Sequence, residues 1–299
     1  MSAQIVQFSW ENESTPIFTS RENGALSQQR LVFNESFSLE ILDGPDCIGF
    51  HTREGWVACP YASKGMRKCE NCKQKEGLMI EQFCDGYNLD LFSPEDVERL
   101  NTPHYLYLAL FQRDLFKIGV SAMGRGLLRQ IEQGTHYALI LAEGMNGILA
   151  RQIETLLRRS GIPDKIQLAQ KKDFLFPQIS PAEGAELLKN IAQKHLTTVF
   201  FDRPDIKKFF LPEFTFHDFS SYFHLAVGEN CPKNFHNIKL AAGESVSGTV
   251  LTVKGSLFLL ETVTEKVLLS AKDLIGYTVD LQPKPAGLTL NAALQSALF

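Results

Sequence analysis

Residues 104–159 constrain this chain more than any other stretch, because their apolar runs alternate between strand and helix period within one short segment. Residues 105–111 are an apolar run rich in aromatics, Gln112, Arg113 and Asp114 break it, and residues 115–120 are a second run. Two such runs across three residues predict a β-hairpin. Gly124 and Gly126 bracket a loop, Leu127, Leu128 and Ile131 follow at helical spacing, and Gly134 sits where that helix would end. Residues 136–143 predict a third strand. Residues 148–159 predict a second helix, with Leu149, Ala150, Ile153, Leu156 and Leu157 on one side. The order is strand, strand, helix, strand, helix. Tyr105 and Tyr107 flank Leu106 on the first strand, so they share one face.

The next constraint is cysteine spacing. Five of the six cysteines lie within residues 47–84, as Cys47-x11-Cys59-x9-Cys69-x2-Cys72 and then Cys84. Gly49, Gly55, Pro60 and Gly65 keep the segment loop-like. Two sulfurs in a C-x2-C knuckle can point at one tetrahedral centre. The first residues, MSAQIVQFSWENES, have neither a basic start nor an apolar signal core, and no apolar run approaches the roughly 20 residues of a membrane span. A cytoplasmic chain is expected, where such clustering favours zinc over disulfides. Cys47, Cys59, Cys69 and Cys72 are the expected ligands of a closed structural zinc, with His51 able to replace one of them and Cys84 the other spare. Cys69-Glu70-Asn71-Cys72 does not lie between a predicted strand and helix, which argues against a redox dithiol. Arg53, Lys64, Arg67, Lys68, Lys73 and Lys75 decorate the same loops.

Charge adds one hint. The chain carries −4 overall, yet residues 104–172 hold 10 Lys and Arg against 5 Asp and Glu, a net +5. A locally basic domain in an acidic chain points to a polyanionic partner.

Elsewhere the patterns are structural. Residues 5–10, 30–34 and 38–42 predict short strands, with a turn at Glu22-Asn23-Gly24, and form an N-terminal β layer over 1–46. Ser180-Pro181-Ala182-Glu183 is a capping box opening a helix to about His195, with Ala185, Leu188 and Ala192 on its core face. Eight phenylalanines between Phe200 and Phe223 fit a core or domain seam better than base stacking. His217, His224 and Cys231 have no recognised metal spacing. Residues 243–252, 257–261, 267–270 and 277–281 predict strands of a small barrel or curled sheet, with turns at Lys254-Gly255-Ser256 and near Ile275-Gly276. Leu288, Leu290, Leu294 and Leu298 predict a helical tail.

The central order resembles the GIY-YIG nuclease superfamily. Tyr105-Leu106-Tyr107 stands where its first tripeptide would be and Lys117-Ile118-Gly119 where its second would be; an arginine follows on the first helix, and Ala150-Arg151-Gln152-Ile153-Glu154 matches its glutamate-bearing helix. More closely, the chain resembles an uncharacterised bacterial family, domain of unknown function 2797, over most of residues 40–285. That pattern is the cysteine cluster, KIGVS, R-x-x-x-QG from Arg129 to Gly134, and the late GTVLTVKGSLFLL. Two departures from the nucleases are Lys117 in place of a tyrosine and an arginine a couple of residues further from Gly119.

The patterns together predict an α+β fold with five parts: an N-terminal β layer (1–46), a zinc-binding region (47–100), a central domain that the resemblance makes GIY-YIG-like (101–165), a helical and aromatic connection (166–235) and a small β-barrel-like module (236–299). In the superfamily a tyrosine helps activate water, an arginine steadies phosphate charge and a helix glutamate holds one divalent metal. This implies Tyr105, Tyr107, Lys117, Arg129 and Glu154 as the catalytic set, with magnesium on Glu154. Arg125 (the second choice of arginine), Gln133, Arg151 and Arg158 are the implied nucleic-acid contacts. Glu154 also has a plain alternative, an exposed ion pair with Arg158 one helical turn on. The expected function is nucleic-acid binding, of DNA or RNA, with or without metal-dependent phosphodiester cleavage. The competing classes are a small-molecule or group-transfer enzyme, in which Lys117, Arg129 and Gln133 grip a carboxylate or phosphate, and an interaction protein with only structural zinc.

Overall fold

The computed structural model describes residues 2–52, 54–76, 80–200, 203–225, 234–281 and 287–289. The chain divides into two compact units, Met1–Gly77 with Tyr222–Phe299, and Leu78–Ser221. The first opens with β1 (Ser2–Glu11), β2 (Thr15–Glu22), β3 (Ala25–Arg30), β4 (Ser36–Asp43), β5 (Phe50–Thr52), β6 (Gly55–Val57) and α1 (Glu70–Glu76). The second contains α2 (Ile80–Phe83), α3 (Pro94–Glu98), β7 (Pro103–Gln112), β8 (Leu115–Ala122), α4 (Leu128–Gln133), β9 (Tyr137–Asn146), α5 (Gly147–Arg159), α6 (Leu168–Asp173), α7 (Pro181–Phe200), α8 (Pro204–Lys207) and β10 (Phe210–Asp218). The first then resumes with β11 (His236–Asn237), β12 (Ser245–Lys254), β13 (Leu257–Glu261), β14 (Lys266–Ser270), α9 (Ala271–Leu274), β15 (Thr278–Asp280) and β16 (Gly287–Thr289). The fold is mixed α+β and rich in strands. No helix among the described residues is long and apolar enough to cross a membrane.

In the first unit one sheet runs β11-β14-β13-β12-β4-β15-β1-β2-β3, with β16 also on β12. Asn23 and Gly24 take φ of 49° and 83°, and Glu22 pairs with Ala25, so the expected β2–β3 turn is a two-residue hairpin loop with both central residues left-handed. Phe18, Phe37 and Phe258 interlock at centroid distances of 5.8–6.0 Å and fill the core. Three features differ from the sequence expectation. The segments 1–46 and 236–299 are not separate modules, because β4 pairs with both β12 and β15. Phe37, Leu39 and Ile41 of β4 are buried, the backbone of a strand so buried needs hydrogen-bond partners on both edges, and period alone cannot say which strands supply them. The tail also differs: Gly287–Thr289, with Leu288, is a strand pairing with β12, while Leu290, Leu294 and Leu298 lie outside the described residues. The strand predicted over 30–34 ends at Arg30, and Asn34 is a turn residue with φ of 61°.

In the second unit an antiparallel sheet runs β10-β9-β7-β8, with β7 central. Every residue of β7 after Pro103 is buried. Leu106, Leu108 and Leu110 turn to one side, with Ile118 and Leu139, beneath Ala150, Ile153 and Leu157 of α5 and Leu188 of α7. Tyr105, Tyr107, Ala109 and Phe111 turn to the other. The predicted order over 104–159 is the one observed. The capping box is present, with Ser180 N donating to Glu183 Oε2 at 2.9 Å and Glu183 N to Ser180 Oγ at 3.3 Å; the helix runs past His195 to Phe200. Strand β10 is an addition. Phe210, Phe214 and Phe216 fall at even spacing and pack on the leucine face, and Phe216 stacks on Tyr137 at 5.8 Å. Phe219 is fully buried here, and Phe223, which belongs to the first unit and packs edge-on against Trp10, is fully buried there, so these aromatics are core. Phe201 and the Phe200 side chain lie outside the described residues, as does Cys231.

Candidate functional site

In the first unit the ligand atoms of Cys47, Cys59, Cys69 and Cys72 all lie within 4.8 Å of one another. Sulfurs about 2.3 Å from a tetrahedral ion stand about 3.8 Å apart, and Cys59 Sγ to Cys69 Sγ is 3.8 Å. The four cysteines could therefore hold a metal ion. Local backbone builds the nest: Cys69 N donates to Cys47 Sγ at 3.2 Å. Gly49 has φ of +96°, and a Cβ there would meet the Val57 carbonyl oxygen at 2.0 Å, so only glycine allows this close approach.

The thiols perturb one another strongly. Burial, with hydrogen bonds from Cys69, Cys47 and Cys59, pushes Cys72 up. Burial also raises Cys59, but backbone N–H groups of Ser63 and Tyr61 and the neighbouring thiols outweigh it and bring it down to about 6. Four sulfurs this close cannot all ionise unaided, whereas a divalent cation allows it. Neither reserve ligand belongs to the group: His51 is exposed, and Cys84, in the second unit, packs with Ile80 and Leu100. The surrounding basic residues are largely spent. Lys64 faces Asp43 at 3.7 Å, Arg67 faces Asp273 at 3.4 Å, Lys73 faces Glu70 at 3.3 Å and Lys68 pairs with Glu76. Lys75 lies over the Phe50 and Tyr61 rings; Arg53 lies outside the described residues.

In the second unit the tyrosine face is covered by α4. Tyr105 and Tyr107 stand side by side, ring centroids 5.8 Å apart. Tyr105 Oη donates to the Gly126 carbonyl at 2.5 Å and to Gln130 Oε1 at 3.1 Å, while Tyr107 Oη donates to Gln133 Oε1 at 3.4 Å. Opposite them, Gly119 pairs with Tyr107 and Lys117 with Ala109, so alternation puts Lys117 on this face too. Gly119 leaves room for the ring: a Cβ there would meet Tyr107 Cζ and Oη at 2.5 Å. Gly119→Ala should therefore push Tyr107 off its partners and cost about 1–3 kcal/mol, read as a lower urea midpoint.

The charges gather around Tyr107. Burial raises its phenol well above the ordinary value, with Arg129 pulling down and Glu154 pushing up. Burial lowers Lys117 to about 8, helped by Arg129 and opposed by Glu154 and Asp164. Burial raises the Glu154 carboxyl, opposed by Arg151 and Lys117. Tyr107, Lys117, Arg129 and Glu154 thus share one electrostatic neighbourhood. Glu154 does not pair with Arg158, which faces Asp164 at 3.6 Å. Of the remaining predicted contacts, Arg125 is bound to Glu132 at 2.6 Å, Arg151 donates to the Cys84 carbonyl at 3.3 Å, and Gln133 sits beside Tyr107. Asp164 was not singled out by the sequence. Lys117 Nζ donates to its carbonyl at 3.3 Å, and Ile118 N donates to the Pro163 carbonyl at 2.9 Å. The approach is between distant segments, and the only local signal is Pro163, which favours an extended preceding residue.

A family model described as Protein of unknown function (DUF2797) matches residues 59–279, well over half of the chain. No curated protein matches, and no solved structure matches.

Proposed function

The chain belongs to that family of unknown function, and within it we propose that the second unit binds nucleic acid on its tyrosine face and cleaves the phosphodiester backbone in the manner of a GIY-YIG-like nuclease. One observation carries this reading. Lys117, Arg129 and Glu154 are half-buried and act electrostatically on one another, with Arg129 and Glu154 acting on Tyr107 as well, yet none closes an ion pair among the described residues. Partly buried charges that lack a direct ion pair are costly, and a ligand that completes them relieves that cost.

The roles follow from chemistry. Arg129 offers a fork to two phosphate oxygens, and Lys117 supplies a second positive charge beside it. The Glu154 carboxylate would hold a divalent cation such as magnesium, which would neutralise phosphate charge and acidify water. Tyr107 is the tyrosine in contact with this set; the Tyr105 hydroxyl is occupied by Gly126 and Gln130 and acts as a positioning group. In the first unit we propose zinc at the four cysteines, in a closed structural role. A second reading, a small anionic ligand, is favoured by the complete burial of Tyr107.

Fluorescence anisotropy with labelled DNA and RNA, single- and double-stranded, tests binding. Affinity should fall with salt by about 0.7–0.9 log unit per log unit for each phosphate contact. Arg129→Ala should weaken it about tenfold. Binding that ignores salt overturns the phosphate-led reading, and equal displacement by mononucleotide or inorganic phosphate favours the small ligand. A pH series checks Lys117. Its charge is present below about 8 and lost as pH rises through that value, so affinity should drop between roughly pH 7 and 9. Lys117→Met should bind more weakly and flatten the profile.

A further inference from the structure

We propose that Arg21 is the counter-ion of the metal held by the four cysteines, donating a guanidinium N–H to the Cys59 sulfur and shielding it from solvent. This rests on the zinc reading. A divalent ion bound by four thiolates carries a net charge of about −2, and sulfurs in such centres are held and tempered by surrounding donors. Backbone N–H groups supply some of these. Cys59 is half-exposed while Cys47, Cys69 and Cys72 are buried, so it has the greatest need of a further donor.

Arg21 stands ready for that role. It lies near the end of β2, paired in register with Gln4 of β1. One side of its guanidinium donates to Gln4 Oε1. Gln4 is itself fixed, its Nε2 donating to the Asp46 carbonyl at 3.0 Å and the Gly276 carbonyl at 3.1 Å. The flat face sits 4.4 Å over the Trp56 ring, a favourable cation–π arrangement. The other nitrogen, Nη1, is buried and has no hydrogen-bond partner. Arg21 lines a cavity of about 430 Å³ together with Cys47 and Cys59. Burial lowers the Arg21 pKa, and the charges of Cys59 and Cys47 are what raise it again. A guanidinium anchored at one end, stacked on its face and unpartnered at the other is oriented for an acceptor at that end. Glu22 and Asp46 also line the cavity, but the charges that act on the guanidinium are those of Cys59 first and Cys47 second, so a thiolate is the acceptor we assign to it.

The test uses the full chain loaded with zinc. Zinc release to excess chelator is followed with a coloured indicator, and cysteine alkylation by iodoacetamide is followed by mass spectrometry. Arg21→Gln should speed release about tenfold, at the lower end of outer-ligand losses, and make Cys59 the first sulfur alkylated. Arg21→Lys, which keeps charge but not the fork, should fall between. Arg30→Gln, which removes an exposed partner of Glu11 on β3, controls for charge alone and should match the parent chain. Cadmium substitution gives a spectroscopic reading, with the sulfur-to-metal charge-transfer band shifting in Arg21→Gln. Unchanged release and an unmoved band overturn the proposal. If Arg21→Gln does not fold, an Arg21→Lys release rate equal to the parent's overturns it. A parent chain that holds no metal at all refutes instead the zinc reading beneath it.

Discussion

Cys72→Ser should abolish the proposed zinc binding of the first unit and open residues 47–76 while leaving the large sheet intact. The reason is how little else holds that segment. Its buried apolar side chains, among the described residues, are Phe50 and the three cysteines Cys47, Cys69 and Cys72. Burying one phenylalanine contributes about 1.5–3 kcal/mol, whereas fixing each residue costs about 1–2 kcal/mol of backbone entropy. A structural zinc contributes about 10–16 kcal/mol to small folds, enough to reverse that deficit. Serine preserves shape but is a poor ligand. Metal content should drop from about one equivalent to nearly none, and amide exchange protection over 47–76 should disappear. The strands around Phe18, Phe37 and Phe258 have their own packed core and should stay protected. Chelating the parent chain should reproduce both results. A Cys72→Ser protein that kept its metal and its protection would remove the basis for a metal-built segment.

What the sequence reveals and what it hides divides along contact range. The cluster of Cys47, Cys59, Cys69 and Cys72, which could hold a metal ion, was legible because thiols are scarce and their spacing is a local code, although spacing left His51 and Cys84 open. Burial and packing resolve those two. β7 was legible because Leu106, Leu108 and Leu110 alternate with Tyr105, Tyr107 and Ala109, so each face of the strand announces a different neighbour. The partnership of β4 with β12 left no trace, since Leu39 facing Val246 looks from sequence like any two buried strand residues. The same limit hid Asp164. Its approach to Lys117 and Arg158 follows from where the chain goes after α5, and no periodicity records that path. The Phe-rich stretch was read correctly as apolar core but not as a strand, because Pro212 interrupts its alternation.

Glu154→Gln should separate binding from cleavage. The substitution keeps the side chain's size and removes the charge that would attract a divalent cation. Loss of one charge-stabilising group at a reacting phosphate is expected to slow cleavage by about a hundredfold or more. Binding measured in chelator should hold or tighten slightly, because a negative charge beside Lys117 and Arg129 has been removed. Arg129→Ala should weaken both, since phosphate is gripped before and during attack. The magnesium dependence expected of the parent adds a signed check. Burial raises the Glu154 carboxyl above the ordinary glutamate range, so it takes up its proton at a higher pH than an exposed glutamate. Half-maximal cleavage should therefore need more magnesium at pH 6 than at pH 7.5, while Asp164→Asn, which removes the like charge that helps raise Glu154, should narrow the difference. Equal cleavage by the parent and Glu154→Gln proteins would remove Glu154 from the reaction. No cleavage by either, with salt-sensitive binding intact, would leave the second unit a binder whose half-buried charges grip phosphate without breaking it.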